Sequence, residues 1–250
     1  WSMYRRALTI PNYEGLLLRT SWPALEKHHF RLMAREANAF KDYGLDVNFS
    51  ITNREMTFPG GAVIEGGHME NPDDVDKYLS RERDDIVCDE GSTFQPRPLL
   101  ELSTRARSSK EEVNAAGGAR FRVFTNPGGP AATMLRDFFS DHQPDWEEFP
   151  KELQTMYDPS EWAYIPGCLE DNPYLPETYE RDLAILSPWR FQQLRYNDWD
   201  VVAGVFFTEF SAKTHVADLG DPGDSVSWFR SMDWGYIQPG CVLWWACLAD

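Results

Sequence analysis

Short apolar strands that alternate with helical segments are the feature that most constrains how this chain can fold. Residues 15–20 and 85–90 are each an apolar run that ends in polar side chains, residues 120–125 are a further predicted strand that ends in Thr125, and helical patterns at 23–42 and 98–107 lie between the three strands. Strands without a polar face are typical of a sheet that is covered on both sides. The alternation predicts a parallel α/β sheet whose chemistry lies at the carboxyl ends of the strands.

Weaker signals complete the outline. A helix is predicted at 2–9, and alternating runs at 55–58 and 62–65 around a Pro-Gly-Gly sequence predict a hairpin. The segment 217–227, rich in Gly, Pro and Asp, is the best linker candidate, and 228–248 is predicted to hold two strands.

Charge and composition exclude some classes of protein. The net charge is −16, which argues against a protein that coats nucleic acid by bulk electrostatics. The basic residues are concentrated, however, because 1–41 holds seven Lys/Arg against three acids, while 141–182 holds twelve acids against two bases. A local face that grips DNA is compatible with this balance, as are ordinary solvated surfaces. No membrane-length apolar run, signal-peptide layout or CxxC pair occurs, so we expect an intracellular protein with incidental thiols.

The strongest motif is the apolar strand that ends in Asp89 and Glu90. This is the Walker B arrangement of P-loop ATPases, in which the first carboxylate suits a water-held Mg²⁺ and the second polarises the attacking water. Apolar strands that end in two acids are also common in proteins without this chemistry, so a purely structural reading stays open.

A second polar strand end lies at Thr125 and Asn126. In ATPases that use the adjacent Glu, the strand after Walker B presents a polar residue that senses the γ-phosphate, and these two residues occupy that position. Alternatively, the sequence NPGGP at 126–130 is simply a turn.

A series of motifs, in order and spacing, resembles the large terminase subunit of tailed phages. They are TFPGG at 57–61, Asp-Glu at 89–90, TNPGGP at 125–130, DNPYL at 171–175 and DWD at 198–200. The resemblance implies an ATP-driven motor that moves viral DNA into a preformed shell and cuts the concatemer.

The resemblance also implies roles for single residues. Asp89 is expected to lie on the magnesium side and Glu90 to be the catalytic base, while Thr125 and Asn126 form the motif that couples hydrolysis to movement. Arg19 matches a family position near the nucleotide, and a surface Arg at a strand end is the alternative.

Three further residues are singled out by the resemblance. Arg81 and Arg83 lie where some relatives supply an arginine finger to a neighbouring subunit, although either could be a plain solvated residue. Asp233 resembles the metal-binding Asp on the first strand of an RNase H-like nuclease, which uses Mg²⁺ or Mn²⁺.

The implied organisation is an ATPase core at 1–140, a lid or linker subdomain at 141–216, a linker at 217–227 and the start of the RNase H-like domain at 228–250. The implied cofactors are ATP and Mg²⁺. The implied partners are double-stranded DNA, the portal protein, the terminase small subunit and further copies in a ring on the procapsid, in the host cytoplasm.

The sequence departs from the family in one important respect, because no GxxxxGK[ST] loop occurs in the 250 residues. Truncation just after the P-loop is the simplest account, and we expect this polypeptide alone neither to bind ATP tightly nor to cleave DNA. The alternatives are another P-loop ATPase such as a helicase, or a degenerate or prophage-derived remnant that acts as a binding module.

Two aromatic or basic features are predicted to be structural. Adjacent residues of a helix do not face one ligand, so His28 and His29 are interpreted as helix surface. Trp244, Trp245 and the aromatics of 146–164 are interpreted as core rather than as stacking platforms.

Overall fold

The computed structural model describes residues 2–176, 178–201, 215, 226–234 and 241–248. The chain divides into two compact units, Trp1–Gly204 and Val205–Asp250. No helix in the described ranges is long and apolar enough to cross a membrane. Nearly all of the predicted linker at 217–227 lies outside the described residues.

The strands of the first unit are β1 (Glu14–Arg19), β2 (Asn48–Ser50), β3 (Glu55–Thr57), β4 (Val63–His68), β5 (Asp85–Asp89) and β6 (Arg120–Phe124).

The helices of this unit are α1 (Ser2–Thr9), α2 (Trp22–Leu25), α3 (Arg31–Asp42), α4 (Asp76–Leu79), α5 (Pro96–Ser103), α6 (Glu111–Ala115), α7 (Ala132–Phe139), α8 (Lys151–Met156), α9 (Tyr179–Leu183) and α10 (Pro188–Tyr196). A π-helical turn, Glu26–Phe30, joins α2 to α3 without a break.

The six strands form one sheet in the order β2-β3-β4-β1-β5-β6. Strand β1 pairs in parallel with β4 and β5, and β5 pairs in parallel with β6. The β3–β4 hairpin is antiparallel, as is the β2–β3 pair. The predicted α/β class with a mainly parallel sheet is therefore confirmed, and the hairpin forms at the predicted place.

Helices cover both faces of the sheet, which explains why its central strands lack a polar face. On one side Leu17 and Val87 pack with residues of α1, α2 and α3. On the other side Leu16, Leu18 and Ile86 pack with residues of α5 and α7. Successive residues of β1 and β5 thus enter different core layers, as the period of two requires.

A buried charge cluster fixes the amino end of β5. The fully buried carboxylate of Asp85 accepts a hydrogen bond of 2.5 Å from the Tyr13 hydroxyl and lies 3.1 Å from Arg122 and 3.4 Å from Arg6. Burial raises the pKa of Asp85 although Tyr13 and the two guanidinium groups act to lower it. Because the four residues come from α1, the start of β1, β5 and β6, the cluster ties these elements together.

The acidic region after α7 packs around an aromatic cluster. Phe138 is surrounded by Trp146, Phe149, Tyr157 and Trp162, with ring centroids 5.0–6.3 Å away. Such edge-to-face and tilted pairs add to the stabilisation from apolar burial. These four rings are partly buried and packed together, as their interpretation as core requires, whereas Tyr164 of the same stretch is exposed.

The second unit contains an antiparallel hairpin of β7 (Val226–Asp233) and β8 (Cys241–Leu248). Trp244 and Trp245 are exposed on it, so the interpretation of this pair as core is wrong for the described part of the unit. The reason is geometric, because a two-stranded hairpin has no interior in which to bury large rings.

Candidate functional site

The candidate site lies at the carboxyl edge of the parallel strands, where β1, β5 and β6 end side by side. The register pairs Leu18 with Cys88 and Asp89 with Phe124, so the residues that follow these positions meet at one edge. The edge therefore brings Arg19, Asp89 and the residues after β6 together, although they are far apart in the sequence.

Asp89 is the centre of this edge. Its Oδ2 lies 2.7 Å from Arg19 Nε and 2.7 Å from His29 Nε2, and both groups form hydrogen bonds with it. Burial by itself would raise the pKa of Asp89, but the hydrogen bonds from His29 and Arg19 and the positive charge of Arg19 lower it below the ordinary value. The carboxylate is therefore held in its ionised form.

His29 was not expected here, and its interpretation as helix surface is wrong. His28 is exposed, whereas His29 turns towards the sheet edge because Glu26–Phe30 is a π-helical turn. The available signal was the spacing of apolar residues, since Leu25 and Phe30, both buried, are five apart instead of three or four.

Glu90 lies directly after β5 in a left-handed conformation, with φ 56° and ψ 43°. This region is uncommon for residues other than Gly, and such strain is concentrated at functional sites. Its carboxylate lies 3.6 Å from Arg19 Nη2 and is about half exposed. Glu90 is thus open to solvent beside Asp89, which suits a group that accepts a proton from water.

Thr125 and Asn126 form the third side of the edge through Ser92. The Thr125 hydroxyl accepts a hydrogen bond of 3.0 Å from the Ser92 backbone N–H and donates one of 2.7 Å to Ser92 Oγ. Ser92 Oγ in turn donates to the Asn126 carbonyl at 3.1 Å. Sequence reasoning missed the buried Ser92, because no local signal shows that the turn after β5 touches the loop after β6.

Gly129 keeps this loop close to the β5 turn. Its φ is +96°, and a Cβ at this position would lie 2.4 Å from the Ser92 carbonyl oxygen. Only Gly combines this backbone conformation with such an approach. The NPGGP sequence is therefore a turn, and it also positions the ends of β5 and β6 relative to each other.

The donor set fits Mg²⁺ bound with a nucleotide better than a metal held by protein alone. Within the described residues no group of three or more His, Cys, Asp or Glu side chains could hold a metal ion. Mg²⁺ typically keeps several waters and takes one or two carboxylates plus phosphate oxygens. Asp89 has one oxygen, Oδ2, committed to Arg19 and His29, and its Oδ1 accepts no hydrogen bond from the residues that the structure describes.

The two candidate arginine fingers lie at the opposite end of β5. Arg83 is buried and contacts Glu65 Oε2 at 2.5 Å, so it is committed to a structural ion pair. Arg81 is exposed and contacts Glu14 at 3.4 Å. Neither belongs to the Asp89 edge of the same sheet.

Asp233 ends β7 in the second unit, with its side chain exposed and paired in register with Cys241. It is the only carboxylate in the part of that unit which the structure describes. These residues do not form a two-metal pair, so we derive no cleavage step from them.

No protein-family model matches the sequence, and no curated protein sequence matches it. Solved structures do match. One is the large terminase of a thermophilic bacteriophage in complex with ADP, with a TM-score of 0.56, 15% identity, and coverage of 98% of this chain and 55% of that one. The fold is that of a phage large terminase.

Two other crystal structures of the same thermophilic phage terminase give the same result. One crystal form has a TM-score of 0.56 at 17% identity, and the complex with ATP-γ-S has a TM-score of 0.54 at 16% identity. Both alignments cover 100% of this chain, which spans about half of the terminase chains (56% and 55%). The predicted resemblance to large terminases is thus confirmed at the level of the fold.

Proposed function

We propose that the chain is part of a viral DNA-packaging terminase large subunit, with most of an ATPase in residues 1–140 and the beginning of a nuclease at 228–250. The observation that supports this most strongly is the strand end at Asp89 and Glu90. It lies between Arg19 and Thr125 in a sheet with the terminase fold.

The proposed chemistry assigns one task to each side chain. With ATP bound, Asp89 would hold the waters of Mg²⁺ in place, and the cation would supply positive charge at the phosphates. Glu90 accepts a proton from the attacking water. At the same time the water oxygen bonds to the γ-phosphorus, and the bond from that phosphorus to the leaving oxygen of ADP breaks. Arg19 places positive charge beside both carboxylates, and its contact with Asp89 holds that side chain in place.

Thr125 and Asn126 suit the coupling of hydrolysis to movement. They are bonded to the turn that follows Glu90, through Ser92, so a change at the γ-phosphate can be passed to the loop after β6. Arg81 is exposed at the far end of β5, where it can reach a neighbouring copy in a ring, whereas Arg83 is buried.

The remaining proposals concern the parent protein. They are cleavage of concatemeric DNA with Mg²⁺ or Mn²⁺ at Asp233, and attachment in the host cytoplasm to a procapsid through the portal protein. Double-stranded DNA, the small subunit and further copies of the chain are the other proposed partners. The phage terminase structures with ADP and ATP-γ-S support nucleotide binding by proteins of this fold.

One test is the sequence encoded upstream of Trp1. A Gly-rich loop that ends in Lys-Ser or Lys-Thr supports the motor, because such a loop supplies the phosphate contacts that residues 1–250 lack. A start codon immediately upstream of the Trp1 codon supports a remnant that acts as a binding module. A helicase domain in place of a nuclease downstream of Asp250 supports the helicase alternative.

The second test is enzymatic. We expect the polypeptide encoded by the complete gene to hydrolyse ATP, and Glu90→Gln to lower kcat by at least about 100-fold, since positioned general bases contribute about 10² or more. We expect residues 1–250 alone to show no turnover and no DNA cleavage. Turnover by these residues that Glu90→Gln abolishes would contradict this second expectation.

A further inference from the structure

The π-helical turn after β1 places His29 where a regular helix would not. Leu25 and Phe30 are both buried at a spacing of five, and the spacing then returns to three and four at Met33 and Ala37. The extra residue is accommodated within one turn, and His29 leaves the exposed face that His28 keeps. Single π turns are costly in hydrogen-bond geometry and are frequent at functional sites.

His29 and Arg19 approach the same oxygen from different elements. Arg19 Nε from β1 and His29 Nε2 from the π turn each lie 2.7 Å from Asp89 Oδ2. Since an ionised carboxylate only accepts hydrogen bonds, Nε2 carries the proton in this contact. Two donors on two different elements restrain the position of Oδ2 more tightly than one donor does.

Arg19 alone is poorly suited to this task because it is shared. Its Nη2 also lies 3.6 Å from Glu90 Oε1, so movement of the exposed Glu90 side chain can draw the guanidinium away from Asp89. His29 makes no such second contact among the described hydrogen bonds and ion pairs. It is therefore the donor that can hold Asp89 independently of Glu90.

We propose that His29 is a positioning residue, which holds Asp89 in the rotamer that presents Oδ1 to the open edge of the sheet. One part of this proposal rests on the proposed function: Oδ1 matters because it would hold the waters of a divalent cation. The geometric part, that His29 sets the Asp89 rotamer, stands on the contacts alone.

The first experiment tests the geometry without nucleotide or metal. Crystal structures of wild type, His29→Gln and His29→Leu are compared at the Asp89 side chain. Gln keeps a donor near the Nε2 position, whereas Leu fills similar space without one. We expect one Asp89 rotamer in wild type and in the Gln variant, and a changed or doubled rotamer in the Leu variant. An unchanged rotamer in the Leu variant overturns the proposal.

The second experiment measures Mn²⁺ binding by the polypeptide encoded by the complete gene in the presence of ATP-γ-S, with electron paramagnetic resonance of free Mn²⁺. We expect His29→Leu to weaken binding by about 10-fold, the low end for loss of a group that orients a metal ligand. His29→Gln should restore the affinity, and His28→Leu, an exposed change one residue away, should leave it unaltered. An equal effect of the two Leu variants contradicts the proposal.

The Asp89→Asn variant distinguishes the proposed role of Asp89 at the cation from the proposed positioning role of His29. If it leaves Mn²⁺ binding unchanged, the proposed role of Asp89 at the cation fails, and the rotamer comparison alone decides whether His29 positions Asp89. If it abolishes binding while the His29 variants bind like wild type, the proposed function stands and the positioning role of His29 is wrong.

Discussion

Arg19 Nε lies 2.7 Å from Asp89 Oδ2 and joins the carboxyl ends of two neighbouring parallel strands. Both side chains are mostly buried, so water screens the contact only in part. We expect Arg19→Met to lower the free energy of unfolding by about 2 kcal/mol, as for other hydrogen bonds to charged groups. Urea unfolding measures this, and the exposed Arg31→Met should change it by less than about 0.5 kcal/mol. Equal changes in the free energy of unfolding for the two variants would show that the contact between Arg19 and Asp89 does not stabilise the fold.

Asp89 should make stability depend on pH at the acid end. Because its pKa is lowered in the folded state, its contribution is present above the ordinary carboxyl value of about 3.9 and is lost as the pH falls through the lowered value. The difference in unfolding free energy between wild type and Asp89→Asn should therefore narrow below about pH 4. Unfolding at pH 3 and at pH 7 checks this, and a constant difference would rule it out.

Thr125→Val should loosen the connection between the β5 turn and the loop after β6. The change removes the acceptor of the buried Ser92 N–H and the donor to Ser92 Oγ. An unsatisfied buried donor costs about 1–3 kcal/mol, which is the loss we expect in urea unfolding. Thr155→Val is the matched control, because Thr155 is exposed and the one hydrogen bond described for its hydroxyl goes to the Lys151 carbonyl of its own helix. A similar small effect at both positions would contradict the prediction.

Gly129→Ala should destabilise the fold more than Gly44→Ala, although both glycines have a positive φ. Gly44 has φ +77° and no atom within 4 Å of a Cβ, whereas a Cβ on Gly129 would lie 2.4 Å from the Ser92 carbonyl. Ala in a left-handed conformation costs about 1–2 kcal/mol, which Gly44→Ala should show. We expect Gly129→Ala to cost at least about 1 kcal/mol more, as measured by thermal unfolding. Equal decreases in melting temperature for the two variants would mean that the loop moves away from Ser92 at no cost in stability.

Cys88 should be protected from thiol reagents in the folded chain. It is fully buried in β5, and burial raises its pKa, so little thiolate is present. Native alkylation followed by mass spectrometry should show Cys88 reacting at least about 100-fold more slowly than the exposed Cys168. The two should react alike in urea. Rapid native labelling of Cys88 would show that β5 is not in the centre of the sheet.

The contacts at Asp89 show how far sequence reasoning reaches. Asp89 and Glu90 could be found because an apolar run before two acids is a local pattern, and parallel strands end at one edge. Thr125 could be found by the same logic one strand later. His29 was missed because the interpretation assumed 3.6 residues per turn, whereas the five-residue spacing of Leu25 and Phe30 departs from that period.

The sequence by itself determined the alternation of strands and helices, the mainly parallel sheet and the edge at which the acids lie. These follow from hydrophobic periodicity, which is local and therefore visible in one chain. Only the tertiary structure decided that Arg19 and His29 share Asp89 Oδ2, that Glu90 is left-handed and that Ser92 joins the β5 turn to Thr125. Those facts depend on register and packing between distant segments, which set distances to within an ångström and leave no periodic trace in the sequence.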